Sequence, residues 1–499
     1  MNSERRKILL IEPPFYRLFK SRYSLDRFPL SLGYLAGAIR GSKRWDVMAY
    51  NADFHPRSEL MKVGYLTGPG FENYLNSLKE PSGEIWSEVR SVLEEYTPSI
   101  VGISAKSQNF ASARMVARLV KEMDERIVVV MGGPHPSMLG GKLLDYPEID
   151  IVVRGEGEKT ITELLAAIEK RDAFDDVRGI SFRKGGRIVE NPQREFIQDL
   201  DKLDFPHTIA PAVLRDYSSY PSSAFQFVFA TRGCPYDCFF CGSRKIWSRK
   251  VRFRSVDNVI GEIESLRKLG LRYIHFDDDT FGVTKAYIRS LCNVLIERCP
   301  GLRWSCEVHG KLVDDEIMSL MKASGCYSVQ IGIESGNNEI LAAMKKNITI
   351  EEASAACEII KKHGISVEAF FIVGFPQETE ETLQDTVNAM KELHCDRLSY
   401  SIFTPYPGTE AYEFCKERGL IDERFDESLY YHQSPANCFC MNISPERFRV
   451  LAGRIERLVD RKNKLSRIKR IFSANVFKKI RERGIAESIK RGKKLLCGR

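Results

Sequence analysis

Three cysteines lie close together in the stretch TRGCPYDCFFCGS, in a C-x3-C-x2-C spacing. Cys234, Cys238 and Cys241 are the first cysteines of the chain. A structural zinc site needs four ligands and usually a second C-x2-C pair, but the later CFC sequence has the wrong spacing and no histidine lies near the three cysteines. An iron–sulfur cubane held by three thiolates leaves one iron with an open coordination position. The spacing therefore favours a cubane whose fourth ligand is a substrate or cofactor.

The cysteines follow the first strand of a region in which strands and helices alternate. We count six strand–helix rounds, and turn-forming residues stand at the carboxyl end of each strand. Eight rounds are needed to close a TIM barrel, so the pattern predicts a partial (β/α)6 barrel. The six strands are predicted in AFQFVFAT, RYIHFDDDTF, RWSCEVHG, YSVQIGIESG, SVEAFFIVGFPQE and RLSYSIFTPYPGT.

An earlier alternation precedes the barrel and predicts a doubly wound α/β domain of the flavodoxin or Rossmann type. Ligands of such sheets bind beyond the carboxyl ends of the strands. A hairpin-like piece and the linker DLDKLDFPHTIAP follow. We therefore predict three parts: residues 1–200, the barrel over 201–415, and a helical C-terminal region over 416–499 with a basic tail. The strands of the first part are predicted in KILLIEPP, WDVMAYNADF, SIVGISAK, IVVVMGGPHPS and IDIVVRGEGE.

The cysteine spacing, the aromatic Phe240 before the last cysteine and the partial barrel resemble the radical S-adenosylmethionine (SAM) superfamily. The resemblance implies that Cys234, Cys238 and Cys241 hold a catalytic 4Fe-4S cluster. It also implies that the amino and carboxylate groups of SAM bind the open iron. An electron from the cluster then cleaves SAM to a 5′-deoxyadenosyl radical, which removes hydrogen from carbon.

Later barrel motifs resemble the superfamily's SAM-binding strand ends. In HFDDDTF three aspartates replace the usual Gly-Gly-Glu, while GIESG, VGFPQE and TPYPGT lie at the following strand ends. Taken singly, each is an ordinary Gly- or Pro-rich turn, but all lie in order at one end of one barrel. The resemblance assigns cofactor binding to Asp277, Asp278, Asp279, Glu334, Ser335, Gly374 and Tyr406.

The first domain resembles the cobalamin-binding domain that precedes many radical SAM enzymes; a generic flavodoxin-like domain is the alternative. The matching motifs are GISAKS, MGGPHPS and RGEGE. Glycines without a Cβ would let the nucleotide tail of cobalamin approach the backbone, and a serine can donate a hydrogen bond there. The cofactor-binding residues implied are Ser104, Gly132, Gly133, His135 and Glu156.

One departure concerns the cobalt ligand. Many cobalamin proteins carry D-x-H-x-x-G after the first strand, but here that loop has no histidine. The partial match DFHPRS follows the second strand and has Ser58 in place of the glycine. We interpret His55 as an ordinary loop residue and predict that cobalt has no protein histidine ligand.

These resemblances imply a cobalamin-dependent radical SAM methyltransferase that acts on an unactivated carbon. The main alternative keeps both cofactors but performs an oxidation, cyclisation or rearrangement, as in the anaerobic chlorophyll-pathway cyclases. A tRNA methylthiotransferase would need three more cysteines in the N-terminal part, and residues 1–233 have none. A non-catalytic cobalamin- or metal-binding module would not need the barrel motifs. The expected partners are a small-molecule, lipid or natural-product substrate and an external electron donor such as flavodoxin or ferredoxin.

Charge is concentrated at the C-terminus. Residues 461–499 hold fifteen Lys or Arg and two Glu, whereas the whole chain has a net charge of +8, so residues 1–460 carry −5. This mildly acidic body disfavours nucleic acid as a partner. No apolar run reaches the ~20 residues of a membrane span, and the sequence predicts a cytoplasmic enzyme. Within the tail, apolar residues at helical spacing could lie on an anionic membrane or pack on the barrel: Leu465, Ile468, Phe472, Val476 and Ile480.

Overall fold

The structure is a computed structural model that describes residues 5–59, 61, 63–170, 173–422 and 425–471. Its N-terminal domain is built on a seven-stranded sheet with the order β2-β1-β3-β4-β5-β6-β7. Strands β1 to β5 are parallel, and the β6–β7 hairpin adds two antiparallel strands at one edge. The strands are β1 (Arg6–Glu12), β2 (Trp45–Asn51), β3 (Ile100–Ser104), β4 (Val128–Gly132), β5 (Ile151–Val153), β6 (Ile180–Lys184) and β7 (Arg187–Glu190).

Helices cover both faces of this sheet, because its central strands are apolar on both sides and must be buried on both. All five residues of β3 are buried, and separate apolar cores lie on the two faces of the sheet. The 2-1-3-4-5 order of the parallel strands is that of flavodoxin-like domains, which confirms the predicted doubly wound fold. The helices are α1 (Tyr16–Phe19), α2 (Leu30–Arg40), α3 (Val63–Leu66), α4 (Pro69–Lys79), α5 (Glu84–Tyr96), α6 (Phe110–Met123), α7 (Pro134–Leu139), α8 (Gly157–Lys170) and, before the barrel, α9 (Pro206–Val213).

The second sheet has six parallel strands in the order β15-β14-β13-β12-β11-β8. It forms the expected partial barrel, and a small antiparallel pair, β9 with β10, projects beyond its first strand. The strands are β8 (Phe227–Val228), β9 (Thr231–Arg232), β10 (Arg252–Phe253), β11 (Tyr273–Phe276), β12 (Arg303–Val308), β13 (Cys326–Glu334), β14 (Ser366–Val373) and β15 (Arg397–Ile402).

Helices of the barrel begin where the sequence places capping side chains. Thr349 and Glu352 form a reciprocal capping box, and Asp314 accepts a hydrogen bond from the Ile317 backbone N–H; such caps satisfy N–H groups that lack helical partners. The helices are α10 (Ser243–Trp247), α11 (Val256–Lys268), α12 (Lys285–Arg298), α13 (Asp315–Ala323), α14 (Asn338–Ala343), α15 (Ile350–Lys362), α16 (Glu380–Glu392), α17 (Glu410–Glu417) and α18 (Pro445–Ile471).

The C-terminal region is helical over Pro445–Ile471, whereas residues 418–444 form a loop in the part that is described, with one short turn of 3-10 helix. This loop returns to the N-terminal domain, where the Tyr431 ring packs against Phe15 and Phe19. Helix α18 then packs on the barrel's open edge, where the Asn463 side chain bonds both the N–H and the C=O of Leu398 in β15. The Asn463 side-chain amide thus bonds the backbone groups that a neighbouring strand would otherwise pair with. The apolar tail positions from Phe472 onward lie outside the described residues.

Candidate active site

A cavity of about 670 Å³ lies between the carboxyl ends of the two sheets, and we call it the larger cavity. From the first domain it is lined by Ser104, Gly132 and Gly133, and from the barrel by residues that include Asp279 and Glu307. Its volume falls within the usual range for ligand pockets, about 300–1,000 Å³. The strand ends that the sequence identified in both domains therefore face one shared space.

A second cavity of about 280 Å³, the smaller cavity, lies in the barrel beside the first. Its wall includes Gln330, Glu334 and Lys346. Asp279 and Glu307 line both cavities. The two spaces thus share a boundary made of carboxylates at the ends of β11 and β12.

Asp278 holds the start of the cysteine loop, which we define as residues 231–243. This carboxylate is 2% exposed and accepts hydrogen bonds from the Ala230 backbone N–H and from both the N–H and the hydroxyl of Thr231. Burial raises the pKa of Asp278 to about 7, and these hydrogen bonds oppose the rise. Asp278 therefore fixes the strand end that leads into Cys234, although the sequence had assigned it to SAM itself.

The three cysteines differ in their surroundings. Cys241 is exposed, whereas Cys234 and Cys238 are half-buried. The Cys234 Sγ lies 3.6 Å from the Thr280 Oγ1, and the Cys241 Sγ accepts a hydrogen bond of 3.5 Å from the Ser243 backbone N–H. The loop thus carries three thiols, one of which faces the surface.

Among the described residues, no three His, Cys, Asp or Glu side chains converge closely enough to hold a single metal ion. A cubane makes a different demand, because each thiolate binds its own iron, so its cysteines stand farther apart than the ligands of one ion. Three thiols within eight residues, with no fourth ligand beside them, are the donor set that such a cluster needs. The cysteine loop therefore fits a 4Fe-4S cluster.

The glycine pair of the first domain lies at the wall of the larger cavity. Gly133 has a φ of +112°, and a Cβ there would stand 2.7 Å from the Ala105 carbonyl oxygen. The protein's own backbone therefore requires glycine at 133, which corrects our reason for it, the approach of a nucleotide tail. A Cβ on Gly132 would meet only the Val153 Cβ, at 3.6 Å, so this position leaves room beside the cavity.

Two histidines were considered in the sequence, and neither lines the larger cavity. His135 is 1% exposed, packs against the Phe110 ring at a tilt and lies 3.0 Å from the Ser107 hydroxyl; burial lowers its pKa to about 3. His55 accepts a hydrogen bond from the Arg57 backbone N–H. In the part of the chain that is described, no histidine borders this cavity, and the absence of a protein histidine on cobalt stays a prediction.

Glu156 is 4% exposed and lines the larger cavity, but protein groups occupy both of its oxygens. Arg232 donates to one, Arg252 donates to both, and the Ile197 backbone N–H donates to the second. The sequence had assigned Glu156 to cofactor binding. The structure places it instead in a salt-bridge network with the arginine that precedes Gly233 and Cys234.

The remaining aspartates after β11 have separate surroundings. Asp277 forms an ion pair with Arg27 of the first domain, whose guanidinium lies over the Phe227 ring. Asp279 accepts a hydrogen bond from the Ser243 hydroxyl. Of the three aspartates, Asp279 is the one that reaches both cavities.

At the end of β13, Glu334 and Ser335 point to different places. Glu334 has a φ of +66°, and its carboxylate lies 2.5 Å from the Lys346 Nζ at the smaller cavity. Ser335 is fully buried and bonds the Thr386 hydroxyl. Sequence reasoning missed Lys346. A Cβ on Gly332 would collide with this ion pair. The first glycine of GIESG was therefore the sequence feature that could have indicated a side chain packed against this strand end.

Three other predicted cofactor residues lie outside the linings of both cavities. Phe240 packs beside an apolar cluster that contains Phe239. Gly374 donates its N–H to Glu378, and a Cβ there would stand 2.6 Å from the Phe448 ring of α18. Tyr406 is half-buried, and burial raises its pKa. None of the three borders either cavity in the described structure.

Glu307, like Asp278, has a raised pKa. Removal from bulk water inside the barrel, followed by the negative charges of Asp277 and Asp279, raises the pKa of Glu307 to about 7. Its charge therefore changes near neutral pH, at the boundary of the two cavities.

Comparison with known proteins agrees with this arrangement. The radical SAM superfamily profile matches residues 228–390, and the B12 binding domain profile matches residues 20–165. An uncharacterized methyltransferase of Pyrococcus horikoshii is 31% identical over 418 residues, which are 83% of this chain and 84% of the relative. The anaerobic magnesium-protoporphyrin IX monomethyl ester cyclase of Rubrivivax gelatinosus is 30% identical over 385 residues, 75% of this chain and 68% of the relative.

Solved structures show the same fold. The radical SAM methyltransferase TsrM from Kitasatospora setae, with cobalamin and a [4Fe-4S] cluster bound, superposes with a TM-score of 0.67 at 17% identity and covers 91% of this chain and 89% of its own. The cobalamin-dependent radical enzyme OxsB superposes with a TM-score of 0.60 at 18% identity and covers 98% and 70%. No helix among the described residues is long and apolar enough to cross a membrane. The chain thus belongs to the cobalamin-binding radical SAM enzyme family, whose cofactors are a 4Fe-4S cluster, SAM and cobalamin.

Proposed function

We propose that this enzyme transfers a methyl group to an unactivated carbon of a small molecule. The observation that carries the proposal is the shared boundary at Asp279 and Glu307, since a substrate placed there is within reach of both cavities. When bound, SAM and the cluster supply a carbon-activating radical, and cobalamin supplies a methyl group. A relative with the methyltransferase name covers most of the chain.

The chain's own residues divide this work by position. We assign the cluster to Cys234, Cys238 and Cys241, and the methionine end of SAM to the Glu334–Lys346 pair, which lies at the smaller cavity. Ser104 and Gly132 are assigned to cobalamin because they line the larger cavity. We place the domain boundaries near residues 200 and 415, since β7 ends at Glu190 and α17 at Glu417.

A cyclase-type reaction is the second candidate, and one observation favours it. The Rubrivivax gelatinosus cyclase is nearly as similar to this chain as the Pyrococcus horikoshii methyltransferase, 30% against 31% identical. The residues that would bind the cofactors do not distinguish the two reactions, because both use the same two cavities.

Isotope transfer separates the candidates. The reduced, cobalamin-loaded enzyme is incubated without oxygen with SAM that carries a deuterated methyl group and with a small-molecule extract of the cells that make it. We expect a compound that gains the labelled methyl group, detected by mass spectrometry. No such compound should form with a variant in which Cys234, Cys238 and Cys241 are all replaced by alanine. A compound that loses hydrogen without gaining the label would establish the cyclase-type reaction instead.

SAM binding is expected to depend on pH through Glu307. The carboxyl group is neutral below about pH 7 and negative above it, and the sulfonium of SAM is cationic, so affinity should rise with pH. We expect the Kd of SAM for the cluster-loaded protein to fall about 3- to 10-fold between pH 6 and pH 8, equivalent to ~0.6–1.4 kcal/mol. Equilibrium binding measures this, and Glu307→Gln should flatten the profile. A wild-type Kd that does not change with pH would refute the role of Glu307.

We propose that an acidic electron carrier such as flavodoxin or ferredoxin docks beside the cysteine loop. Cys241 is exposed there, and exposed basic side chains follow it at Lys245, Arg249 and Lys250. Opposite charges steer such partners into contact.

The basic tail is proposed to hold the enzyme near anionic membranes. Residues 472–499 contain nine Lys or Arg and two Glu, and each basic residue near an anionic leaflet contributes about 1 kcal/mol at most. Truncation after Ile471 should leave SAM cleavage intact but reduce sedimentation with anionic liposomes at low salt. Truncation after Asp460 is unsuitable, because Lys462 and Asn463 bind the barrel. Equal sedimentation of both proteins would remove the membrane role.

A further inference from the structure

We propose that Glu156 and Glu158 are positioning residues that link the cysteine loop to the larger cavity, where we place cobalamin. Through this link, bound cobalamin slows the loss of iron from the cluster. The inference rests on the family's cofactors and holds for a methyltransferase or a cyclase alike. It concerns the motif RGEGE, which our sequence reasoning had assigned to direct contact with a cofactor.

The first element is a buried ion network between the domains. The Glu156 Oε1 lies 2.7 Å from the Arg232 Nη1 and 2.9 Å from the Arg252 Nη1. The side chains of Glu156, Arg232 and Arg252 are 1%, 9% and 5% exposed. Charges so far from water are stable only while they remain paired. The three groups must therefore move together.

Glu158 adds a second bond to the same arginine. Its Oε1 lies 2.7 Å from the Arg232 Nη2, so Arg232 is held by two carboxylates that flank Gly157 at the start of α8, one at each terminal nitrogen. A planar guanidinium that donates hydrogen bonds from both terminal nitrogens is fixed in orientation as well as in position. The pairing therefore sets the path of the backbone at Arg232.

Arg232 lies directly before the cluster ligands. It ends β9, where it pairs with Arg252 in β10, and only Gly233 separates it from Cys234. Gly233 has a φ of +107°, and a Cβ there would stand 2.9 Å from the Lys250 carbonyl oxygen. Little freedom is left between the ion network and the first thiolate, so a shift of Arg232 displaces Cys234.

The segment that carries Glu156 and Glu158 also lines the larger cavity. Glu156 and Glu158 line the larger cavity, and so do Arg232 and Trp247, the last residue of the helix that follows the cysteine loop. The guanidinium of Arg232 also lies 5.6 Å from the centre of the Trp247 ring. A large cofactor in this cavity therefore restricts both partners of the Glu156–Arg232 and Glu158–Arg232 pairs.

Restriction of shared groups couples the two sites thermodynamically. If cobalamin favours the arrangement in which Arg232 is held, it favours the loop conformation that binds the cluster, and the cluster favours cobalamin by the same factor. Neutral amides at 156 and 158 keep the shape of the side chains but remove the charges that transmit this preference.

Iron release tests the coupling without any turnover. Cluster-loaded protein, with or without hydroxocobalamin, is mixed anaerobically with an iron chelator, and the release rate is followed by absorbance. We expect cobalamin to slow release in the wild type by about 5-fold or more, the usual lower range of coupling between sites. Glu156→Gln and Glu158→Gln should each bring the ratio of the two rates close to one.

A second buried ion pair, which includes neither Glu156 nor Arg232, supplies the matched control. Glu262 lies 2.5 Å from the Arg254 Nη1 at 2% and 5% exposure, and it lines neither cavity. Glu262→Gln breaks a pair of the same kind and should keep the wild-type ratio, whatever its effect on thermal stability. If Glu156→Gln takes up no iron while Glu262→Gln does, the positioning role is supported, and Glu158→Gln then supplies the ratio.

Three results would overturn the proposal. They are a wild-type rate that cobalamin does not change, a wild-type ratio retained in both Glu156→Gln and Glu158→Gln, and an equal loss of the ratio in Glu262→Gln. Because none of these readouts needs methyl transfer, failure here is distinguishable from failure of the proposed function.

Discussion

Replacing Cys234, Cys238 and Cys241 together with alanine is expected to abolish both iron binding and 5′-deoxyadenosine formation. The three thiols are the donors available in the cysteine loop, and the nine other cysteines of the described chain lie outside it. Without thiolates no cubane can be held, and without the cluster SAM receives no electron. Iron and sulfide per chain, and 5′-deoxyadenosine by chromatography, measure the loss.

The control for this variant is Cys395→Ala. Cys395 is half-buried and lies between α16 and β15, away from both cavities. It should keep the full iron content and SAM cleavage. If the triple variant still cleaved SAM, the assignment of the cysteine loop would be wrong.

Gly133→Val is expected to lower both thermal stability and cobalamin loading severely. The position has a φ of +112°, where a non-glycine residue costs roughly 1–3 kcal/mol, and the added Cβ would press on the Ala105 carbonyl oxygen at 2.7 Å. The strain lies at the cavity wall, so the shape of the larger cavity changes with it. The melting temperature and the absorbance of bound cobalamin report the two effects separately.

Gly132→Ala is the matched control for Gly133→Val. Its Cβ would make an ordinary contact with the Val153 Cβ at 3.6 Å, so the fold should keep its melting temperature. Any fall in cobalamin loading then reports the cavity wall alone. A Gly133→Val protein with an unchanged melting temperature and full loading would contradict the role that we assign to this glycine.

The architecture could be predicted because strand–helix alternation is a local pattern with few global solutions. Buried strands such as KILLIE and SIVGIS, each followed by an amphipathic helix, require a parallel sheet covered on both faces. The six rounds after the linker gave the partial barrel in the same way. Some helices were missed, among them α4, which begins at Pro69, and the short α7, which begins at Pro134 directly after the glycine pair.

Cavity-lining positions were predictable where a residue type and a strand end coincide. Asp279, Glu334 and Ser104 all line cavities, since strand ends of a parallel sheet converge on one edge. Adjacent residues were less certain, because neighbours at a strand end point to different sides. Ser335, next to Glu334, turns into the protein and bonds Thr386.

Partnerships between distant segments could not be read from the sequence. Glu156 is paired with Arg232 and Arg252, 76 and 96 residues away, and nothing local in RGEGE indicates arginine partners. Lys346 reaches Glu334 across 12 residues by way of α14. Glu307 was not singled out because its raised pKa arises from burial inside the barrel and from carboxylates of other segments, which the sequence does not show.

The central claim is that the methyl group of SAM passes first to cobalamin, held in the larger cavity, and then to the substrate. The most direct measurement takes one preparation of reduced, cluster-loaded wild-type protein, divides it into samples with and without cobalamin, and adds SAM without oxygen. S-adenosylhomocysteine and 5′-deoxyadenosine are then counted per chain. The account predicts 5′-deoxyadenosine in both samples and S-adenosylhomocysteine only with cobalamin. S-adenosylhomocysteine formed equally without cobalamin, or not formed in its presence, would contradict it.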